Sequence, residues 1–108
     1  MAREKIFETR VKRYIESQGG WQVKFFANAY TKTGVPDILS CIHGYFVGIE
    51  VKSERGTPSE LQLHTIRQIR AAGGFAFVLY PSGYNTFKQF INDLNKDTFD
   101  TDIPMIIK

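Results

Sequence analysis

Residues 37–52 read DILSCIHGYFVGIEVK, and this stretch decides the fold. Two runs of strand-forming residues flank His43-Gly44, which predicts two antiparallel strands joined by a tight turn. Such a turn pairs Ile42 with Tyr45, and counting outward sets Asp37 opposite Glu50. Strand side chains return to the same face every second residue, so Lys52 shares the face of Glu50. Two carboxylates directly opposed in a sheet repel each other. Burying them without a counter-charge is worse still. A divalent cation removes the conflict, because Mg²⁺ takes a few carboxylate oxygens and completes its octahedron with water and phosphate oxygens. Lys52 would then stand where a phosphate oxygen or an attacking water must be steadied. Taken singly, each residue has a plainer reading. Glu50 and Lys52 would be an exposed ion pair, and Asp37 a turn residue after Pro36. The register is what joins them.

Outward from this hairpin the chain alternates helix and strand. Residues 2–18 carry a helical pattern with Phe7, Val11, Tyr14 and Ile15 on one face, ended by Gly19-Gly20. WQVKFF follows as a strand and NAYTKTG as a polar loop. After the hairpin, Thr57 is expected to cap a second helix, with Pro58 at its first position and Glu60 completing a capping box. That helix runs to Ala72 and stops at Gly73-Gly74. FAFVLY is apolar almost throughout, as a central buried strand would be. A last helix is expected over 86–94, while NKDTFDTDIPMIIK has no assignment apart from PMIIK as a candidate edge strand. The expected order is α-β-β-β-α-β-α, a mixed β-sheet flanked by helices in one α/β domain over residues 1–108.

Two helical residues point toward the hairpin acids. Gln62 falls about 100° from Leu61 on a helical wheel, in the middle of the arc spanned by Leu61, Thr65, Ile69 and Ile66. A glutamine there needs partners for its amide, and the Asp37/Glu50/Lys52 face is the nearest polar cluster. Glu8 lies at the margin of the first helix's apolar stripe, where it either looks into the same site or is a solvated flank.

Composition sets outer limits. The chain has 108 residues, 43% of them hydrophobic, and a formal net charge of +3, which allows a polyanionic partner without requiring one. The charged N-terminus does not read as a signal peptide, and no apolar run approaches a membrane span. The single cysteine, Cys41, allows no internal disulfide and no Cys-based zinc site, and reads as a small strand hydrophobe in a reducing compartment. Lys24, Lys32 and Arg55 flank the hairpin acids and are candidates for phosphate neutralisation, although each alone also fits a solvated surface cation. Tyr30 is a candidate base-stacking ring, with core packing the plainer reading, and Trp21 is expected in the core. His43 and His64 have no companion ligand, so neither is assigned chemistry.

GVPD at 34–37, EVK at 50–52, Gln62 early in the next helix and Glu8 in the first resemble the PD-(D/E)XK nucleases. From about residue 6 to residue 80 the layout is similar to the virus-type replication-repair nuclease branch, VRR-NUC. It is also similar to the archaeal Holliday-junction resolvases, down to the serine after EVK, Ser53. The resemblance implies a restriction-endonuclease-like core and cleavage of DNA phosphodiesters dependent on Mg²⁺, with Mn²⁺ as a substitute. It makes Asp37 and Glu50 metal ligands, Lys52 the group that activates water and stabilises transition-state charge, Glu8 a further ligand, and Gln62 a positioning residue. It further implies a homodimer acting on branched DNA such as four-way junctions, in the cytoplasm of a bacterium or a phage-infected host cell. The alternative is a non-catalytic DNA-binding or assembly module that has kept the fold.

Overall fold

A computed structural model describes residues 2–96 and 103–108. The element order is α1 (Ala2–Ser17), β1 (Trp21–Lys24), β2 (Ile38–Ile42), β3 (Tyr45–Val51), α2 (Glu60–Ala71), β4 (Phe75–Leu79), a short 3₁₀ turn, α3 (Tyr84–Asn95) and β5 (Ile106–Ile107). One five-stranded sheet runs β1-β2-β3-β4-β5. β2 runs antiparallel to both of its neighbours, β1 and β3, whereas β4 joins β3 and β5 joins β4 in parallel. This is a mixed sheet with three helices, consistent with the restriction-endonuclease-like α/β fold. PMIIK does contribute an edge strand, and the part of the unassigned tail at 97–102 lies outside the described residues.

The hairpin register is the expected one. Ile42 pairs with Tyr45 and Ile38 with Ile49, so the next step outward sets Asp37 beside Glu50. His43 and Gly44 both take positive φ, 52° and 88°, the mirror-image turn whose twist suits a two-residue hairpin.

α1 and α3 cover one face of the sheet. Phe7, Val11 and Ile15 of α1 are buried there with Phe87, Phe90 and Ile91 of α3 against Ile38, Ile49 and Phe77. Phe77 meets Phe90 edge to face at 5.6 Å. Of the described helices only α2 lies on the other face, through Ile66 against Ala76, Val78 and Tyr80. β4 is buried along its whole length because it is covered on both faces and paired on both edges.

Four expectations need correction. α2 begins later than Thr57: Ser59 is its N-cap and Gln62, not Glu60, closes the capping box. The sequence S-E-L-Q carries that box as plainly as T-P-S-E does, and Pro58 sits before the cap. α3 begins at Tyr84 rather than Thr86. Trp21 is 65% exposed and Cys41 is exposed as well. They pair with each other and lie in one row with Phe46, on the part of the sheet where α2 does not reach. Tyr30 is 98% exposed, so core packing is not its role.

The loop that delivers Asp37 is fixed by contact with α2. Gly34 has φ +79°, and a Cβ there would lie 2.7 Å from the Leu61 carbonyl oxygen and 2.8 Å from Thr65 Oγ1. Pro36 in turn lies over Gly48 of β3, where an added Cβ would be 3.2 Å from Pro36 Cγ. Gly19 has the same backbone sign, φ +80°, but open space around it. Gly19→Ala should therefore cost only the left-handed backbone strain, about 1–2 kcal/mol. Gly34→Ala should cost more than Gly19→Ala, by on the order of 1–3 kcal/mol of overpacking. Urea unfolding of the two variants measures the difference, and equal losses would mean that Gly34 does not anchor the loop.

Candidate active site

The acids gather at one lip of the sheet, where β1 ends, β2 begins and β3 ends. α1 approaches from one layer and the first turn of α2 from the other. Glu50 is 2% exposed. Gln62 Nε2 donates to Glu50 Oε2 at 2.9 Å, and the Lys52 ammonium lies 3.5 Å from the same oxygen. Glu50 Oε1 is buried and has no hydrogen-bond partner among the described residues. Asp37 Oδ2 accepts from the Val51 amide at 3.0 Å, which pins this carboxylate against the end of β3.

Gln62 is preorganised by the cap. Its amide oxygen accepts from the Ser59 backbone N–H at 2.8 Å while its amide nitrogen points at Glu50. One side chain thus closes the helix N-terminus and satisfies a buried carboxylate.

Glu8 looks inward, at 9% exposure. The Lys24 ammonium lies 2.7 Å from Glu8 Oε1 and 3.5 Å from Asp37 Oδ1, and Lys12 lies 3.5 Å from Glu8 Oε2. Lysines and acids therefore interleave along the site as Lys12, Glu8, Lys24, Asp37, Glu50, Lys52, with Asp37 and Glu50 the one pair of like charges side by side in that row. Among the described residues no group of three or more His, Cys, Asp or Glu side chains forms a ready metal cage. Glu8 joins Asp37 through an ammonium rather than directly. Sequence reading placed Lys24 among phosphate contacts and missed this pairing. The signal was available in principle, since Lys24 follows the strand alternation that turns Gln22 toward Glu16 of α1. Lys32 and Arg55 are exposed or nearly so and stand apart from these pairs.

Burial pushes the Glu50 carboxyl up to about 8, helped by the charge of Asp37 and opposed by Lys52. Burial alone would lower the Lys24 ammonium, but its bond to Glu8 and the charges of Asp37 and Glu8 outweigh that and raise it. A buried carboxylate oxygen with no donor, beside a second carboxylate, takes either a proton or a cation. An all-oxygen pair suits a hard divalent ion such as Mg²⁺ rather than a thiophilic one, so Asp37 and Glu50 fit the metal that the sequence motif implies.

No family model and no curated protein matches the sequence. A solved structure described as a VRR_NUC domain does match. It superposes with a TM-score of 0.66 at 26% identity, covering 90% of this chain and 98% of that one. The mixed sheet with its three helices and this likeness together define a restriction-endonuclease-like α/β fold. The likeness supports the VRR-NUC family for this chain.

The Glu50 shift makes a pH prediction for metal-free protein. Its carboxyl ordinarily titrates near 4.5 and in the fold near 8, so between these values the folded state holds a proton that the unfolded state has lost. Stability is then present at low pH and declines as pH rises through about 8. Glu50→Gln, neutral throughout, should show little of that decline and exceed the wild type at pH 8 by about 2–4 kcal/mol. Urea unfolding in EDTA at pH 5 and pH 8 tests this. An identical pH slope in both proteins would refute it.

Proposed function

We propose that this chain is a divalent-metal-dependent endonuclease that hydrolyses DNA phosphodiesters. The observation that carries the reading is the Glu50 carboxylate, buried beside Asp37 with one oxygen unpartnered and an ammonium 3.5 Å from the other. A binding module has no use for so costly an arrangement.

Asp37 and Glu50 would hold Mg²⁺, or Mn²⁺ in its place. When bound, the cation supplies positive charge against the scissile phosphate and lowers the pKa of a water. The chain's own residues do the rest. Gln62 holds the Glu50 carboxylate in one orientation through its bond from the cap. Lys52 stabilises the charge that grows on the phosphate oxygens as water adds to phosphorus and one P–O ester bond breaks. Lys24 and Lys12 neutralise Glu8 and Asp37, which lets a polyanion approach a cluster of carboxylates.

The substrate is branched DNA such as a four-way junction, and the active form is a homodimer. Two sites about a two-fold axis suit two symmetric nicks, and the exposed row of Trp21, Cys41 and Phe46 is apolar surface available to a second copy. We place this activity in the cytoplasm of a bacterium or phage-infected cell. Among the described residues no helix is long and apolar enough to cross a membrane.

Labelled duplex, flap and four-way junction DNA, with Mg²⁺ and with EDTA, provide the test. Cleavage should require the metal, and junctions should be preferred. Asp37→Asn and Glu50→Gln should abolish it while the fold persists. Lys52→Ala should lower the single-turnover rate at saturating protein by on the order of a hundredfold, as loss of one oxyanion donor does. Its effect on DNA affinity should be small, since one contact among several carries little of the electrostatic attraction. Near-normal cleavage by either acid variant would remove the ligand role. Binding without any metal-dependent product would establish the module reading instead.

A further inference from the structure

α1 has two polar flanks of opposite character. The flank toward the site carries Glu4, Glu8 and Lys12, whose charges are engaged there: Glu4 accepts from the Ser53 backbone N–H at 3.2 Å, and Lys12 pairs with Glu8. The other flank carries Arg3, Ile6, Arg10 and Arg13, at helical spacing on one side. All four are exposed.

The basic residues divide the same way. Lys12, Lys24 and Lys52, at the site, each sit within 3.5 Å of a carboxylate. Among the described residues, Arg3, Arg10, Arg13 and Arg55 form no ion pair with any carboxylate. Arg10 instead lies over the Tyr84 ring, its Cζ 4.2 Å from the centroid, with the Lys88 ammonium 4.8 Å from that centroid. A cation–π contact holds a guanidinium in place without consuming its charge on a carboxylate.

Three clefts connect these groups to the site. One of about 360 Å³ opens beside Glu8 and Lys24 and reaches Ser53. A second, of about 530 Å³, shares Ser53 and is lined by Arg3, Arg10 and Arg55. A third, of about 590 Å³, shares Ile6 and Arg10 with the second and continues past Arg13 to Tyr84. Glu54 is the acid along the second cleft, and it accepts from Ser82 Oγ at 3.3 Å. Among the described residues, no acid lines the third cleft.

We propose that this outer flank of α1, with Arg55 and Lys88, is a binding track for the phosphodiester backbone of the DNA strand that runs from the candidate site. The proposal rests on the nuclease reading above and adds residues and a direction to it. Arg3 to Arg13 spans about 15 Å of helix, or about four nucleotide steps at the ~3.4 Å per-strand spacing of duplex DNA. An unpaired row of that length is repulsive in the free protein, and phosphates relieve it while releasing counterions. Continuity with the site favours a nucleic-acid strand over a membrane surface. A lipid face would also need more exposed apolar area along the flank than Ile6 offers.

The test compares variants of equal charge loss. Arg10→Gln/Arg13→Gln removes two charges from the track, and Arg67→Gln/Lys96→Gln removes two exposed charges from other surfaces. Binding of a labelled duplex is measured by fluorescence anisotropy in EDTA, as a function of salt. The track variant should bind at least about tenfold more weakly, and its slope of log K against log salt should fall by about 2. The control should keep both values near wild type, and Arg10→Lys/Arg13→Lys should restore binding. Circular dichroism confirms that each variant folds. Wild-type affinity in the track variant, or equal loss in the control, overturns the track. Loss of binding to phosphatidylserine vesicles with DNA binding intact overturns it in favour of a membrane. If wild-type protein cuts DNA with Mg²⁺ while the track variant binds normally, the track alone fails. If wild-type protein neither binds nor cuts DNA, the nuclease reading fails with it.

Discussion

Burial of Glu50 is the constraint around which the rest of the site is arranged. An isolated carboxylate loses several kcal/mol of hydration on entering such an environment, and Asp37 beside it adds like-charge repulsion. The chain answers with one hydrogen bond from Gln62, one ammonium from Lys52 and a raised proton affinity. None of these supplies a donor to Glu50 Oε1. A fold that served stability alone would place a leucine or valine there, as it does at the neighbouring Ile49 and Val51. Retaining the acid costs folding energy, a cost that the metal-ligand role proposed above for Glu50 would account for.

The same economy of charge governs the surroundings. Lysines that face the acids are neutralised by them, so the lip of the sheet is nearly balanced before any metal or substrate arrives. Among the described residues the arginines on the far flank of α1 have no such partners, and they carry positive charge outward. One helix therefore serves three roles by virtue of its periodicity. Its apolar stripe builds the core, one margin supplies Glu8 to the site, and the opposite margin presents unpaired cations.

Local geometry does much of the positioning. Gly34 lets the loop touch α2, Pro36 lies on Gly48, and together they set the direction from which Asp37 enters β2. The capping box at Ser59 orients Gln62 through contacts local to the start of α2. These contacts explain in steric terms why GVPD and the start of α2 belong to one unit.

Much of this was legible in the residues alone. The hairpin register followed from a two-residue turn and the strict period of two along a strand, both local properties, so Asp37 and Glu50 were placed side by side without a structure. The apolar faces of α1 and α2 and the inward direction of Gln62 followed from the helical period for the same reason. What depended on coverage by distant elements was not legible. Glu8 stood at the margin of a stripe, and only the packing of α1 beside β1 turned it inward to Lys24. Lys24 read as a surface cation until two carboxylates from different elements met around it. Trp21 and Cys41 carried strand-forming, apolar side chains, yet α2 packs over Ala76 and Val78 of β4 and leaves their row to solvent. Periodicity tells a chain which side chains share a face, but only the assembled layers decide what each face meets.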